Sequence, residues 1–293
     1  MKKLEFWILI IFYKFLRYLP LRVSKIFAEL MSIIIQYVFA YRRQLVYKNL
    51  KSAFPEKNEQ EIKSIIRSVY RAFMQLWLEL LNSWRLNNKY FSKNFRVYHW
   101  EVVENAIKEG RGLIVYSGHL GNFEWLAYYL GTNLKKLYAI MKKVRNPYVN
   151  DFIVQIREDH GCHLIYSKGA LKKSIRILRE GNALLVVGDQ DAGKQGIFVD
   201  YFGKPASTAA GAAILHIKTG APVVLGVAIR RKMGQFDLFF ERIPDYPAKT
   251  CDDNSIHQFT QIQSSKLEDI VRKHAGQYFW THRRWKTKRK ETN

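Results

Sequence analysis

Leu113-Ile114-Val115-Tyr116-Ser117-Gly118-His119-Leu120-Gly121-Asn122-Phe123-Glu124 is the stretch from which the rest of the chain is read. An apolar, β-branched run ends in a turn with two glycines. A helical pattern then begins near Asn122 and is expected to stop at Gly131. A strand leading through a flexible turn into a helix is the first half of a strand–helix–strand unit. Downstream, short β-branched runs at residues 137–141, 163–166, 183–187, 222–229 and 236–242 predict further strands. Helical spans are predicted at 147–160, 171–180 and 209–218, followed by Gly161, Gly181 and Gly220, and a last helix at 255–275. The alternation predicts an α/β domain with helices on both faces of a mixed sheet.

Upstream, residues 44–92 read as helical. Ile62, Ile65, Ile66, Val69, Phe73, Leu76, Trp77 and Leu80 recur at three- and four-residue steps, a stripe read first as core packing, with an acyl-chain wall as the sharper alternative. Pro55 marks the approach to this helix. The chain opens Lys2-Lys3 and continues Phe6 to Tyr13, interrupted by Lys14 and Arg17. That apolar stretch is shorter than the roughly 20 residues a spanning helix needs, and the bulky Arg17, Tyr18 and Leu19 do not make a signal cleavage site. A second apolar segment, 26–41, ends at Arg42-Arg43. Aromatics with flanking cations suit interfacial helices whose cations meet lipid phosphates. The expected organisation is a membrane-anchoring helical segment over 1–45 and one catalytic domain over 46–293.

The 293 residues carry 48 Lys and Arg against 25 Asp and Glu, a formal net charge of +23. Such an excess implies an anionic partner: nucleic acid, anionic lipid or an acidic carrier protein. The cations are spread along the chain with no helix-turn-helix, zinc-finger or RNP-type signature, so nucleic acid is not expected. Cys162 and Cys251 are too few and too isolated for a disulfide framework or a metal knuckle.

The chemistry concentrates at strand ends, where sites in such sheets lie. On one continuous helix His119 and Glu124 would stand about 140° apart and could not meet. With His119 before the helix and Glu124 in its first turn, the bends at Gly118 and Gly121 can bring them together. Glu124 would then orient the imidazole, and His119 would act as general base on a hydroxyl. Removing Glu124 is expected to cost activity and little folding. Gly188-Asp189-Gln190-Asp191 follows the 183–187 strand in an equivalent place. Ser207 and Thr208 are expected to cap the helix beginning near residue 209. Arg145 and Arg157, with Lys142-Lys143, suit phosphate recognition or a solvated basic face. The run Gln277-Tyr278-Phe279-Trp280-Thr281-His282-Arg283-Arg284-Trp285-Lys286 interleaves rings and cations and suits a headgroup interface or, by stacking, single-stranded nucleic acid, the former being more coherent beside the apolar N-terminus. The other histidines show no metal-ligand spacing.

Together these motifs resemble the late, secondary acyltransferases of lipid A biosynthesis, the lauroyl/myristoyl transferases. The resemblance rests on His119-x4-Glu124, Arg145-Asn146-Pro147 leading to Arg157, Gly188-Asp189-Gln190-Asp191, Tyr201-Phe202-Gly203-Lys204-Pro205-Ala206-Ser207-Thr208, and Trp280-Thr281-His282-Arg283-Arg284-Trp285, in family order. It departs at Met141-Lys142-Lys143-Val144, where many members have an arginine–proline pair. The resemblance implies the αβα core of glycerolipid acyltransferases and a place on the cytoplasmic face of the inner membrane. It implies transfer of an acyl chain from acyl carrier protein to a hydroxyl of a lipid A precursor, without cofactor or metal. The catalytic pair falls on His119 and Glu124, and Arg145, Arg157, Asp189 and Asn122 are the expected substrate-binding positions. Acylation of another glycolipid or a lysophospholipid, or a non-enzymatic basic membrane- or nucleic-acid-binding protein, are the alternatives.

Overall fold

The computed structural model describes residues 2–18, 20–247 and 250–289; Met1 and Leu19 of the expected N-terminal segment lie outside them. Helices α1 (Lys2–Tyr18) and α2 (Leu21–Ile33) lead through a π-helical turn, Ile34–Val38, to α3 (Arg43–Ala53) and the long α4 (Glu59–Leu81). A capping box starts α4: the Asn58 side chain accepts from the Gln60 and Glu61 N–H groups while Glu61 reaches back to the Asn58 N–H. Next come α5 (Asn88–Asn94), β1 (Phe95–Tyr98), α6 (Trp100–Lys108), β2 (Leu113–Ser117), α7 (Phe123–Asn133), β3 (Leu137–Met141), α8 (Pro147–Glu158), β4 (Cys162–Tyr166), α9 (Ala170–Arg179) and β5 (Ala183–Val187). A small antiparallel ribbon, β6 (Ile197–Asp200) and β7 (Pro205–Thr208), precedes α10 (Gly211–Thr219), the hairpin β8 (Val223–Lys232) and β9 (Gln235–Ile243), and α11 (Asp253–Lys273).

Seven strands form one mixed sheet in the order β1-β9-β8-β2-β5-β3-β4. Only the β8–β9 pair is antiparallel. Side chains of a strand alternate between faces, and the core divides accordingly. Ile114 and Tyr116 of β2, and Leu184 and Val186 of β5, face one cluster, filled by α3, the first half of α4, α9, α10 and α11. Leu113 and Val115, with Ala183 and Leu185, face the other, filled by α5, α6, α7 and Ile156 of α8. This bears out the α/β expectation; β1 and α6 are additions to it.

Two boundaries differ from expectation. Gly131 does not stop α7, which runs on to Asn133. A Cβ there would lie 2.4 Å from the His160 carbonyl oxygen, so the glycine permits close packing on the turn after α8. Ser207 and Thr208 belong to β7 and do not cap α10, whose cap residue, Ala210, has no polar side chain. Ser207 instead donates to the Gly193 carbonyl.

The N-terminal helices bury one side and expose the other. Phe6 and Tyr13 of α1 pack their rings on Phe152 of α8, and Glu29 of α2 pairs with Arg71 of α4. Trp7 (57 % exposed), Ile8, Ile11 (66 %) and Phe15, with Ile26, Leu30 and Ile33, face outward. Among the described residues no single helix is long and apolar enough to cross a membrane; Val23–Val38 and Arg43–Ala53 pass only as a pair bent by 94°.

Candidate active site

Parallel strands β2 and β5 run side by side in register from Leu113↔Ala183 to Ser117↔Val187. Two residues beyond those ends stand His119 and Asp189. The pairing carries them to the same height on adjacent turns, and they meet. His119 Nδ1 lies 2.6 Å from Asp189 Oδ1, and the His119 backbone N–H donates to Oδ2 at 2.9 Å. One carboxylate thus holds both the ring and its backbone.

Asp189 is buried. Burial alone would raise its carboxyl, but the His119 ring, the two hydrogen bonds from His119 and the charge of Arg284 outweigh that and hold it down at about 2. The ionised carboxylate accepts the Nδ1 proton, which leaves the Nε2 lone pair free. The Gln190 amide nitrogen lies 3.0 Å from Nε2 and donates to it. Phe123 and Phe279 flank the ring at centroid distances of 4.8 and 5.9 Å.

The turn itself depends on Gly121. Its φ is +61°, and a Cβ there would fall 1.9 Å from the Ala228 carbonyl oxygen of β8. The Gly121 and Asn122 N–H groups donate to Gln277 and Ala228 carbonyls, and the Phe279 N–H donates to the His119 carbonyl. The chain after α11 therefore buttresses the histidine turn.

Glu124 does not orient His119. It is the second residue of α7 and turns toward the last helical turn of α8. There Arg157 donates from Nε to Oε2 at 2.9 Å and from Nη2 to Oε1 at 2.6 Å. Burial works against the Arg157 charge, but the adjacent carboxylate prevails and raises its pKa. The orienting carboxylate expected at Glu124 is Asp189.

Asn122 is also corrected. It is fully buried; its Oδ1 caps α7 by accepting from the Trp125 N–H, and its Nδ2 donates to Glu79. No face remains for substrate. Arg145 is exposed beside the start of α8 and makes no ion pair among the described residues. The run 278–285 is not a lipid-facing surface: Tyr278, Trp280, Thr281 and Arg284 are buried. Arg284 donates to the Ser207 carbonyl and to Thr208 Oγ1, while burial chiefly lowers the pKa of His282, to about 4.

Glu79 escaped the sequence reading because it looks like one more polar residue of α4. It is buried and takes both Nε and Nη2 of Arg230, the Gly234 N–H and the Asn122 amide. It ties α4, the β8–β9 hairpin and the start of α7 together behind the turn.

His119, Gln190, Glu124 and Arg157 line one cleft of about 420 Å³. Its other walls are mostly apolar, among them Phe123, Ala127, Ala139, Ile153, Leu164 and Leu185. Trp77, 43 % exposed, also lines it, so the α4 stripe is not all core. Lys142 and Val144, in the segment that departs from the arginine–proline pattern, stand on its wall. Cys162 is there too; burial first, then nearby Glu124, pushes its thiol up to about 12, which keeps it protonated and a poor nucleophile. Among the described residues no group of histidine, cysteine and carboxylate side chains is arranged to hold a metal.

A histidine held by a buried carboxylate and opening on a mostly apolar cleft suits a general base beside a fatty chain, and the family match makes the class an acyl-transferring enzyme. The chain belongs to the bacterial lipid A biosynthesis acyltransferase family, whose model matches residues 1–287. It is similar to a lipid A biosynthesis palmitoleoyltransferase of Escherichia coli, 24 % identical over 84 % of this chain and 79 % of that one. It is also similar to a lipid A biosynthesis acyltransferase of Haemophilus influenzae, 22 % identical over 94 % and 85 %. A phosphatidylinositol mannoside acyltransferase of Mycolicibacterium smegmatis is 22 % identical over 54 % and 53 %. The protein is an O-acyltransferase of lipid A biosynthesis with a lipid acceptor.

Proposed function

We propose that the protein moves a fatty acyl chain from an acyl carrier protein thioester to a hydroxyl of a lipid A precursor at the cytoplasmic face of the inner membrane, with His119 as general base. The supporting observation is the His119 ring, clamped at Nδ1 by buried Asp189 and presenting Nε2 to the apolar cleft. The acyl chain lies in that cleft with its carbonyl at the imidazole. The acceptor hydroxyl displaces the Gln190 amide from Nε2, gives up its proton there and attacks the thioester carbonyl. The imidazolium formed is stabilised by Asp189. The N–H groups of Phe123 and Glu124, at the start of α7 and without hydrogen-bond partners among the described residues, with the displaced Gln190 amide, stabilise the oxyanion. The intermediate collapses, the C–S bond breaks, and the imidazolium returns its proton to the departing thiolate.

Glu124 acts through Arg157, holding the guanidinium in the cleft wall. Arg145 serves the acceptor from the surface. No cofactor or metal takes part in this scheme. The +23 charge serves both the acidic carrier and the anionic lipid surface. Purified His119→Ala should lose acyl transfer to a lipid A precursor by roughly 10²- to 10⁴-fold. Activity close to the parent's would end the assignment. Mass spectrometry of lipids from a deletion strain distinguishes this acceptor from a phosphatidylinositol mannoside.

A further inference from the structure

A second cleft, of about 620 Å³, opens between α2, α4, the end of β8 and the chain after α11. It shares no lining residue with the apolar cleft. A small void touching His119, Phe73 and Phe279 adjoins it through Ala72 and Gln277, which line both. Eight lysines and arginines line the second cleft, against one carboxylate, Glu29. Arg71 is paired with Glu29, Arg272 with Glu268, Lys57 with Glu61, Arg231 with Asp237 and Arg230 with Glu79, but Lys25, Lys232 and Lys273 have no ion-pair partner among the described residues. Arg230 lines it as well. It is only 7 % exposed, and its Nη1 has no hydrogen-bond partner among the described residues.

The surroundings say which anion fits. Lys25 and Glu29, one helical turn apart on α2, face this cleft. The next residues along the same helix, Ile26 and Leu30, are exposed. A basic cleft thus borders an exposed apolar stripe, the arrangement that suits a lipid with its chains on the stripe and its anionic head in the cleft. An acidic protein surface needs no such stripe.

We infer that this cleft binds the phosphate of a phosphorylated glycolipid acceptor, so that acceptor headgroup and donor chain occupy separate clefts. The inference rests on the acyl-transfer reading above. The test is the double variant Lys232→Ala/Lys273→Ala, both exposed positions. It is assayed as the full chain with acyl carrier protein thioester and lipid A precursor, native or phosphatase-treated. With native acceptor the acceptor KM should rise roughly tenfold, with kcat and donor KM within twofold of the parent. With phosphatase-treated acceptor, variant and parent should be equal.

A raised donor KM with unchanged acceptor KM would give the cleft to the acidic carrier instead. No change in either KM would make it a solvated basic face. Both results overturn the inference. A parent without turnover would count against the acyl-transfer reading alone. Binding of native-acceptor micelles to His119→Ala protein, compared with the same protein carrying both lysine changes, would then still decide the cleft: weaker binding upholds it and equal binding overturns it.

Discussion

At the scale of single residues, the two carboxylates near His119 have different work. Asp189 holds Nδ1, so Asp189→Asn puts an amide where the acceptor was and favours the wrong tautomer. It should lower kcat by roughly 10²-fold or more, with acceptor and donor KM little changed; steady-state kinetics on the folded variant check this. Its carboxyl is held at about 2 against an ordinary 3.8. A depressed carboxyl contributes stability that is present above the unfolded value and lost as pH falls toward the folded one. The parent should therefore lose stability more steeply than Asp189→Asn between pH of about 4 and 2, a difference that urea midpoints at each pH will show. Glu124 is the reverse case. The sequence suggested that it could be removed without harm to folding, yet it neutralises a largely buried guanidinium. Glu124→Ala should destabilise the fold by about 3 kcal/mol, read as a fall in the urea midpoint. His119 itself was legible from its strand-to-helix turn, and Asp189 as a second strand-end motif. That they are partners was not legible, because the order β2–β5 joins residues 70 apart in the chain.

Among elements, glycines proved ambiguous punctuation. Gly161, Gly181 and Gly220 have positive φ where helical spans end, as their positions suggested. Gly131 looked the same in sequence and acts oppositely, because its constraint comes from the turn after α8. Gly131→Ala should leave α7 helical but lower the melting temperature, at a cost of about 1–3 kcal/mol from forced repacking; circular dichroism during thermal unfolding separates the two effects. The aromatic and basic run after α11 misled in the same way. Its composition suits a lipid boundary equally well, but Trp280 is held inside by Asn49, the Ala275 carbonyl and the Phe54 and Phe202 rings, and Arg284 by β7. Composition does not say which side of an irregular segment faces its own protein.

For the molecule as a whole, α1 and α2 present an apolar face on a strongly basic body. Ile8→Asn/Ile11→Asn should weaken partition onto anionic vesicles roughly tenfold or more while leaving thermal unfolding unchanged, since both side chains are exposed; vesicle sedimentation measures it, and unchanged partition would assign that face another role. The layered α/β plan, the spans of six of the seven sheet strands and the histidine turn were determined by the sequence, because alternation and helical periodicity are local and each face must bury its own stripe. The tertiary structure alone decided the rest: which carboxylate meets the imidazole, that Asn122 is a buried cap, and that Glu79 and Arg230 lock the turn from behind. Those outcomes depend on strand order and on pairings across 43 to 151 residues of chain. Local propensity carries no information at that distance, and only the packed sheet brings such groups together.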